Sequence, residues 1–151
     1  MTRTDRMTNQ QHIYVSPAGK DTWSGRLPAP ASDGADGPLA TIARARDLVR
    51  ELKQTGRLVG AVTVWLRGGR YELSEPLVFE HEDSGPITYS AYPGERAVID
   101  GGRPIGGWRV ETVNGRACWV AVLPDVAAGA WAFRSLFVNG RRRPRARLPK
   151  Q

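Results

Sequence analysis

The run Val62-Thr-Val-Trp-Leu-Arg-Gly-Gly-Arg-Tyr71, followed by Leu77-Val-Phe79, Ile87-Thr-Tyr-Ser-Ala-Tyr92-Pro-Gly94 and Val98-Ile99-Asp-Gly-Gly102, decides the fold. Each piece is a short β-prone run closed by glycine, proline or acidic turn residues. Alternation sets Val62, Val64 and Leu66 on one face of a strand and Thr63, Trp65 and Arg67 on the other. Ile87, Tyr89 and Ala91 share a face in the same way, against Thr88, Ser90 and Tyr92. Strands this short, following one another after short turns, describe a chain that winds around a narrow sheet coil by coil or meanders through a sandwich. The glycines do not signal a phosphate site. Arg67-Gly-Gly-Arg70 and Asp100-Gly-Gly-Arg-Pro-Ile-Gly-Gly107 lack the Lys-Ser/Thr ending and the following helix that nucleotide loops require.

Upstream, Met1–Gln11 reads as a disordered leader and His12-Ile-Tyr-Val-Ser16 as the first strand. Asp21 to Pro38 is a long aperiodic loop. Its Asp21, Asp33 and Asp36 do not follow the calcium-loop spacing and read as turn formers, so no metal and no cofactor are expected. A helix follows. Thr41 can cap it, Ile42, Ala45, Leu48, Val49 and Leu52 form one apolar stripe, and Gly56 ends it. Its arginines are expected on the solvent face, with Asp47 pairing to Arg50 across a turn. Downstream, Trp108–Val110, Cys118–Leu123 and Ser135–Val138 are strand candidates. Asn114-Gly115 and Asn139-Gly140 are hairpin turns. Cys118, the single cysteine, reads as a small buried apolar side chain.

The chain has 151 residues with 17 glycines and 11 prolines, which favours many turns over long helices. No stretch is apolar enough to span a membrane, and no apolar signal segment is visible, so a cytoplasmic location is the default expectation. The net charge of +7 sits in the last stretch: residues 134–151 hold seven basic side chains and no acidic one. The balanced remainder gives no argument for a nucleic-acid partner.

Five phrases in this order resemble a known family. They are Tyr14-Val-Ser-Pro-x-Gly19-x-Asp21, Gly37-Pro-Leu-Ala-Thr-Ile42, Val64-x-Leu-x-Gly-Gly-x-Tyr71, Ile87-Thr-Tyr-x-Ala-Tyr-Pro-Gly94 and Val98-Ile-x-Gly-Gly102. Together they resemble the N-terminal region of right-handed parallel β-helix proteins, the pectate-lyase-like folds that include glycoside hydrolase families. Leu136-Phe-Val-Asn-Gly-Arg-Arg-x-Pro-Arg-Ala-Arg147 also resembles the β-helix glycosidase group. The resemblance implies a mainly-β fold: a capping α-helix and first coils over residues 12–107, then a β-rich insert and a basic strand or tail over 108–151. It also implies a truncated chain, because in that family the active site lies on later coils.

Glycoside hydrolysis wants two carboxylates held on either side of the scissile bond. The candidates here are Glu80, Glu82, Asp83 and Asp100. Glu80 and Glu82, with His81 between them, are weak acid/base candidates, since Ser84-Gly-Pro86 turns the chain there. Asp100 suffices to cap its own turn. No catalytic residue is assigned. Trp65, on the polar face with Thr63 and Arg67, is the aromatic residue best placed to contact a sugar, and Arg143 and Arg145 are the basic candidates. The expectation is a structural, carbohydrate-contacting part of a glycoside hydrolase-like protein, not catalytic alone, with a polysaccharide or oligosaccharide as partner. The alternatives are a non-catalytic carbohydrate-binding or scaffold module and a weak basic nucleic-acid binder. An open β-helix end would also make the isolated chain self-associate.

Overall fold

A computed structural model describes residues 10–144. The chain forms two compact units that divide between Arg103 and Pro104.

The first unit is built on parallel strands. β1 (Gln11–Val15), β2 (Val62–Leu66) and β4 (Ile87–Ala91) form a three-stranded sheet in that order. β3 (Gly69–Glu72) and β5 (Ala97–Asp100) form a second, parallel pair. Val62 lies beside Gln11 and Ile87, Val64 beside Ile13 and Tyr89, and Leu66 beside Val15 and Ala91. In the second pair Tyr71 lies beside Ile99. The chain therefore passes twice from the first sheet to the second, through β2–β3 and then β4–β5, each time in the same direction. Parallel strands need such crossovers, because a tight hairpin can only make antiparallel neighbours.

The alternation read from the sequence holds in this sheet. Ile13, Val15, Val62, Val64, Leu66 and Tyr71 are buried in one core with Leu39 and with Ile42, Ala45 and Val49 of α1 (Ile42–Gln54). The helix starts where expected, with Thr41 Oγ1 accepting from the Arg44 amide. Its apolar stripe lies on the core that the strands enclose.

The loop before the helix closes one edge of the sheet. Leu39 N–H donates to Tyr14 O at 2.9 Å, Ser16 N–H to Leu39 O at 2.8 Å and Tyr14 N–H to Gly25 O at 2.7 Å. A side chain at Gly19 would place its Cβ 2.3 Å from Leu39 O, so only glycine lets the Ser16–Gly19 turn lie against this segment. The aspartates of the loop serve it. Asp21 accepts from the Ala40 and Thr41 amides and from Thr41 Oγ1, Asp33 from the Ala35 amide, and Asp36 from Ser24 and the Gly37 amide. The opposite edge, formed by β4 and β5, has no strand partner among the described residues.

The second unit contains two antiparallel hairpins. β6 (Arg109–Val113) pairs with β7 (Arg116–Val120), and β8 (Leu136–Val138) with β9 (Arg141–Arg143). A single helical turn, α2 (Pro124–Ala127), lies between them. Both turns are Asn-Gly with positive φ at each residue, as two-residue hairpins of this twist require.

Several expectations are corrected. Leu77–Phe79 is not a strand: Val78 and Phe79 are exposed, Val78 O accepts from Arg46 Nη1, and Phe79 sets its ring against Tyr89. β1 begins at Gln11, which therefore belongs to the strand and not to a leader. Cys118 is exposed, because the β6–β7 hairpin has no covering layer among the described residues. The helix arginines are not a solvated fringe. Arg50 does not pair with Asp47 but reaches Asp83, and Arg46 takes Asp47.

Candidate functional site

The outward face of the three-stranded sheet carries the side chains that the core rejects. From β1 come His12 and Tyr14, from β2 Trp65 and then Arg67, and Tyr92 follows β4. Parallel register places Tyr14 beside Trp65 and Ser90, so these rings gather across the strands. His12 and Trp65 are stacked with centroids 6.2 Å apart, and Tyr92 meets Trp65 edge-on at 6.0 Å. Tyr14 lies 6.2 Å from Tyr92 and 6.5 Å from His12. Spacings and tilts of this kind are those that aromatic pairs favour.

Polar contacts fix the cluster. Trp65 Nε1–H donates to His12 Nδ1 at 3.0 Å. That bond requires Nδ1 to carry no proton, so the neutral imidazole holds its proton on Nε2. Arg67 lies over the Tyr92 ring at 4.7 Å and grips Glu95 through Nη2 at 2.7 Å and Nε at 2.9 Å, while its Nη1 donates to Pro28 O. The Arg67 guanidinium, helped by the Gly68 amide, holds the Glu95 carboxyl below the usual carboxylate range. Glu95 reciprocally raises the Arg67 pKa. Tyr71 supports the same corner from inside, its hydroxyl donating toward Val15 O at 2.9 Å and Arg67 O at 2.7 Å.

The face thus presents a half-buried indole flanked by an imidazole and two phenols, with an ion pair at one end. It can stack on a flat apolar surface and hydrogen-bond at its rim. It holds no nucleophile–base pair. Trp65 is the sequence candidate that lies in it. His12, Tyr14 and Tyr92 were not singled out as site residues, although alternation alone sets Tyr92 on the face of Ser90.

The acid/base candidates lie elsewhere. Glu80 precedes, and His81 and Glu82 form, a single 3₁₀ turn spanning His81–Asp83. Arg50 of α1 draws the turn onto the helix, with Nη2 2.6 Å from Asp83 Oδ2, Nη1 3.1 Å from Glu82 Oε1, and Glu80 at 3.9 Å. Lys53 Nζ donates to Glu82 O at 2.6 Å. The Arg50 hydrogen bonds hold the Asp83 carboxyl far below the usual range and push the Arg50 pKa up. Asp100 bonds Arg70 and the Gly102 amide. Arg143 is exposed on β9 opposite Leu136. Arg145 lies outside the described residues.

No protein-family profile and no curated protein matches this sequence. Among solved structures, one described as a glycoside hydrolase is similar over 90% of this chain, with 31% sequence identity and a TM-score of 0.66. This chain spans 22% of that protein's length. What the chain shares with it is a mainly-β fold with mostly parallel strands and one substantial helix near the N-terminus.

Proposed function

We propose that this chain is the leading, helix-capped part of a carbohydrate-active protein built as a right-handed parallel β-helix, with a glycoside hydrolase as its nearest functional kind. Residues 12–107 are then the cap and first coils, and 108–151 the β-rich insert. The observation that carries this reading is the pair of parallel ladders climbed in step, β1–β2–β4 and β3–β5, over a core lidded by α1. A parallel coil exposes its core at its end, and an amphipathic helix is a suitable lid. The similarity to a glycoside hydrolase supports the same reading.

In this reading the chain supplies structure and a sugar-contacting face, not a complete catalytic pair. Trp65 is the platform, and His12, Tyr14 and Tyr92 are its rim. Glu80, Glu82 and Asp83 are engaged by Arg50, which suits a structural clip better than proton transfer. Affinity electrophoresis of the whole chain through gels containing soluble xylan, β-glucan or galactan tests it. Retardation by at least one neutral polysaccharide, lost in Trp65→Ala, is the expected result. No retardation by any of them would remove the carbohydrate-contacting role.

A non-catalytic binding module is the second reading, favoured by the same four-ring face. The two separate on a longer polypeptide. Glycosidase activity that appears when the reading frame beyond Gln151 is included supports the first, and binding without turnover in that longer chain supports the second.

A further inference from the structure

A groove of about 750 Å³ runs along β1, lined by the second half of α1 and by the Ser24 and Asp36 region of the loop. Its apolar lining is Ile13, Leu48 and Leu52. Its polar lining is unbalanced. Gln11 Oε1 is buried and accepts no hydrogen bond among the described residues. The amide cannot simply be turned over, because Gln11 Nε2 donates to Arg57 O at 3.0 Å and the flipped form would set two oxygens together. A buried acceptor left without a donor costs about 1–3 kcal/mol, so such an atom marks a place where a donor is wanted.

The charged groups of the groove are unbalanced in the other sense. Asp36 is engaged by Ser24 and the Gly37 amide, which hold its carboxyl below the usual range. Glu51 is paired with Arg44 at 2.8 Å. The guanidiniums of Arg26 and Arg57, both exposed residues lining the groove, make no hydrogen bond or ion pair among the described residues. His12 lines it too, with Nδ1 committed to Trp65 and Nε2–H left as a donor. The free inventory is two cations, one N–H donor and one acceptor over an aliphatic floor.

We infer that this groove binds a polyhydroxy carboxylate, either as a free sugar acid or as an acidic unit of a saccharide. The carboxylate takes the arginines, whose planar forks suit it. A neighbouring hydroxyl donates to Gln11 Oε1 and another accepts from His12 Nε2–H. The C–H face of the ligand lies on Leu48 and Leu52. The saccharide form rests on the carbohydrate reading above, whereas the free acid does not.

The test is calorimetric titration of the whole chain at constant pH and low salt with D-glucuronate, D-glucose, acetate and a glucuronate-bearing oligosaccharide. Glucuronate should bind at least about 10-fold more tightly than glucose, which lacks the carboxylate, and than acetate, which lacks the hydroxyls. The exposed double variant Arg26→Gln/Arg57→Gln should abolish the preference over glucose. Gln11→Leu should reduce the preference over acetate. Tighter binding of the oligosaccharide than of glucuronate supports the saccharide source, and equal binding supports the free acid. Equal affinity for glucuronate and glucose, equal affinity for glucuronate and acetate, no binding of glucuronate, or a preference that survives the arginine double variant would each overturn the inference. Polysaccharide retention through Trp65 that persists in those cases would leave the proposed function standing.

Discussion

Alkaline pH should unfold this protein through two buried phenols. Tyr71 is 5% exposed, beneath the turn that joins β2 to β3, and its hydroxyl bonds the carbonyls of Val15 and Arg67. Burial pushes its pKa from the usual 10.0 up to about 12, with the nearby Glu95 adding to the shift. Tyr89, packed against the core, is likewise pushed up to about 12, mainly by burial and then by Asp83. A group whose folded pKa is raised stabilises the fold fully below its unfolded pKa and loses that contribution as pH rises through the folded value. The window therefore runs from about pH 10 to 12. A shift of two units is worth about 2.7 kcal/mol at its limit, and at pH 11 about half of that is gone for each tyrosine. Urea titrations followed by circular dichroism at pH 9 and pH 11 should differ by about 2–3 kcal/mol in stability. Tyr71→Phe should lose about 1 kcal/mol at pH 9, through its two hydrogen bonds, yet show about half the pH dependence of the parent. The absorbance of phenolate near 295 nm gives an independent reading. Tyr14 and Tyr92 should ionise before Tyr71 and Tyr89. Four phenols titrating together near pH 10, or a Tyr71→Phe variant with the parent's full alkaline slope, would refute the reasoning.

Acid should act through a different contact. Arg50 holds the Asp83 carboxylate far below its usual pKa, so this stabilisation is present above about pH 4 and is lost as pH falls below it. Asp83→Asn should be less stable than the parent at pH 7 and should flatten the acid limb of a thermal-melt series; an unchanged limb would show the clip to be idle. Gly19→Ala should destabilise by about 1–3 kcal/mol or more, because its Cβ meets the backbone oxygen of Leu39 at 2.3 Å and not a movable side chain. A neutral melting temperature there would contradict the close approach. The uncovered edge of β4 and β5 should make the isolated chain associate, and light scattering after size exclusion should show species above monomer at tens of micromolar. A clean monomer would count against an open edge.

The sequence revealed those parts of the fold that rest on periodicity within one segment. The stripe Ile42–Leu52 and the alternation in Val62–Leu66 and Ile87–Ala91 each put their apolar residues into the same core. Segments without a partner misled. Leu77-Val-Phe79 has the composition of a strand, but β-propensity expresses packing on a pleated surface, and this triplet has no neighbouring strand. Cys118 sits in an apolar run and was read as buried for that reason. Its strand pairs only with β6, so neither face is covered among the described residues. The sites were less legible than the fold. Trp65 was visible as an aromatic residue on a polar face. The partners that make it a cluster come from β1 and from the turn after β4, and only the parallel register brings them together. Gln11, Arg26 and Arg57 gave no signal, because nothing in their local sequence shows that they share a groove or that one acceptor among them lacks a donor.

The charge distribution separates the remaining readings of the second unit. Residues 104–151 hold nine basic and two acidic side chains, so the whole surplus of +7 belongs to that unit. A nucleic-acid surface would set these arginines around exposed bases-stacking rings on a supported platform. Instead Arg141, Arg142 and Arg143 lie on a two-stranded hairpin opposite Val138, Phe137 and Leu136. None of the unit's described residues is buried, and Trp119 is 70% and Phe137 61% exposed. Two-stranded hairpins are marginal without a layer to pack against, and apolar strand faces of this extent call for a protein cover, not for phosphates. Acidic groups on that cover would meet the arginines. The same requirement holds for the bare edge of β4 and β5 in the first unit, which wants further parallel strands. A longer β-helix polypeptide satisfies both needs at once, whereas a free-standing basic binder satisfies neither, and this is why the first proposed reading is preferred to the second.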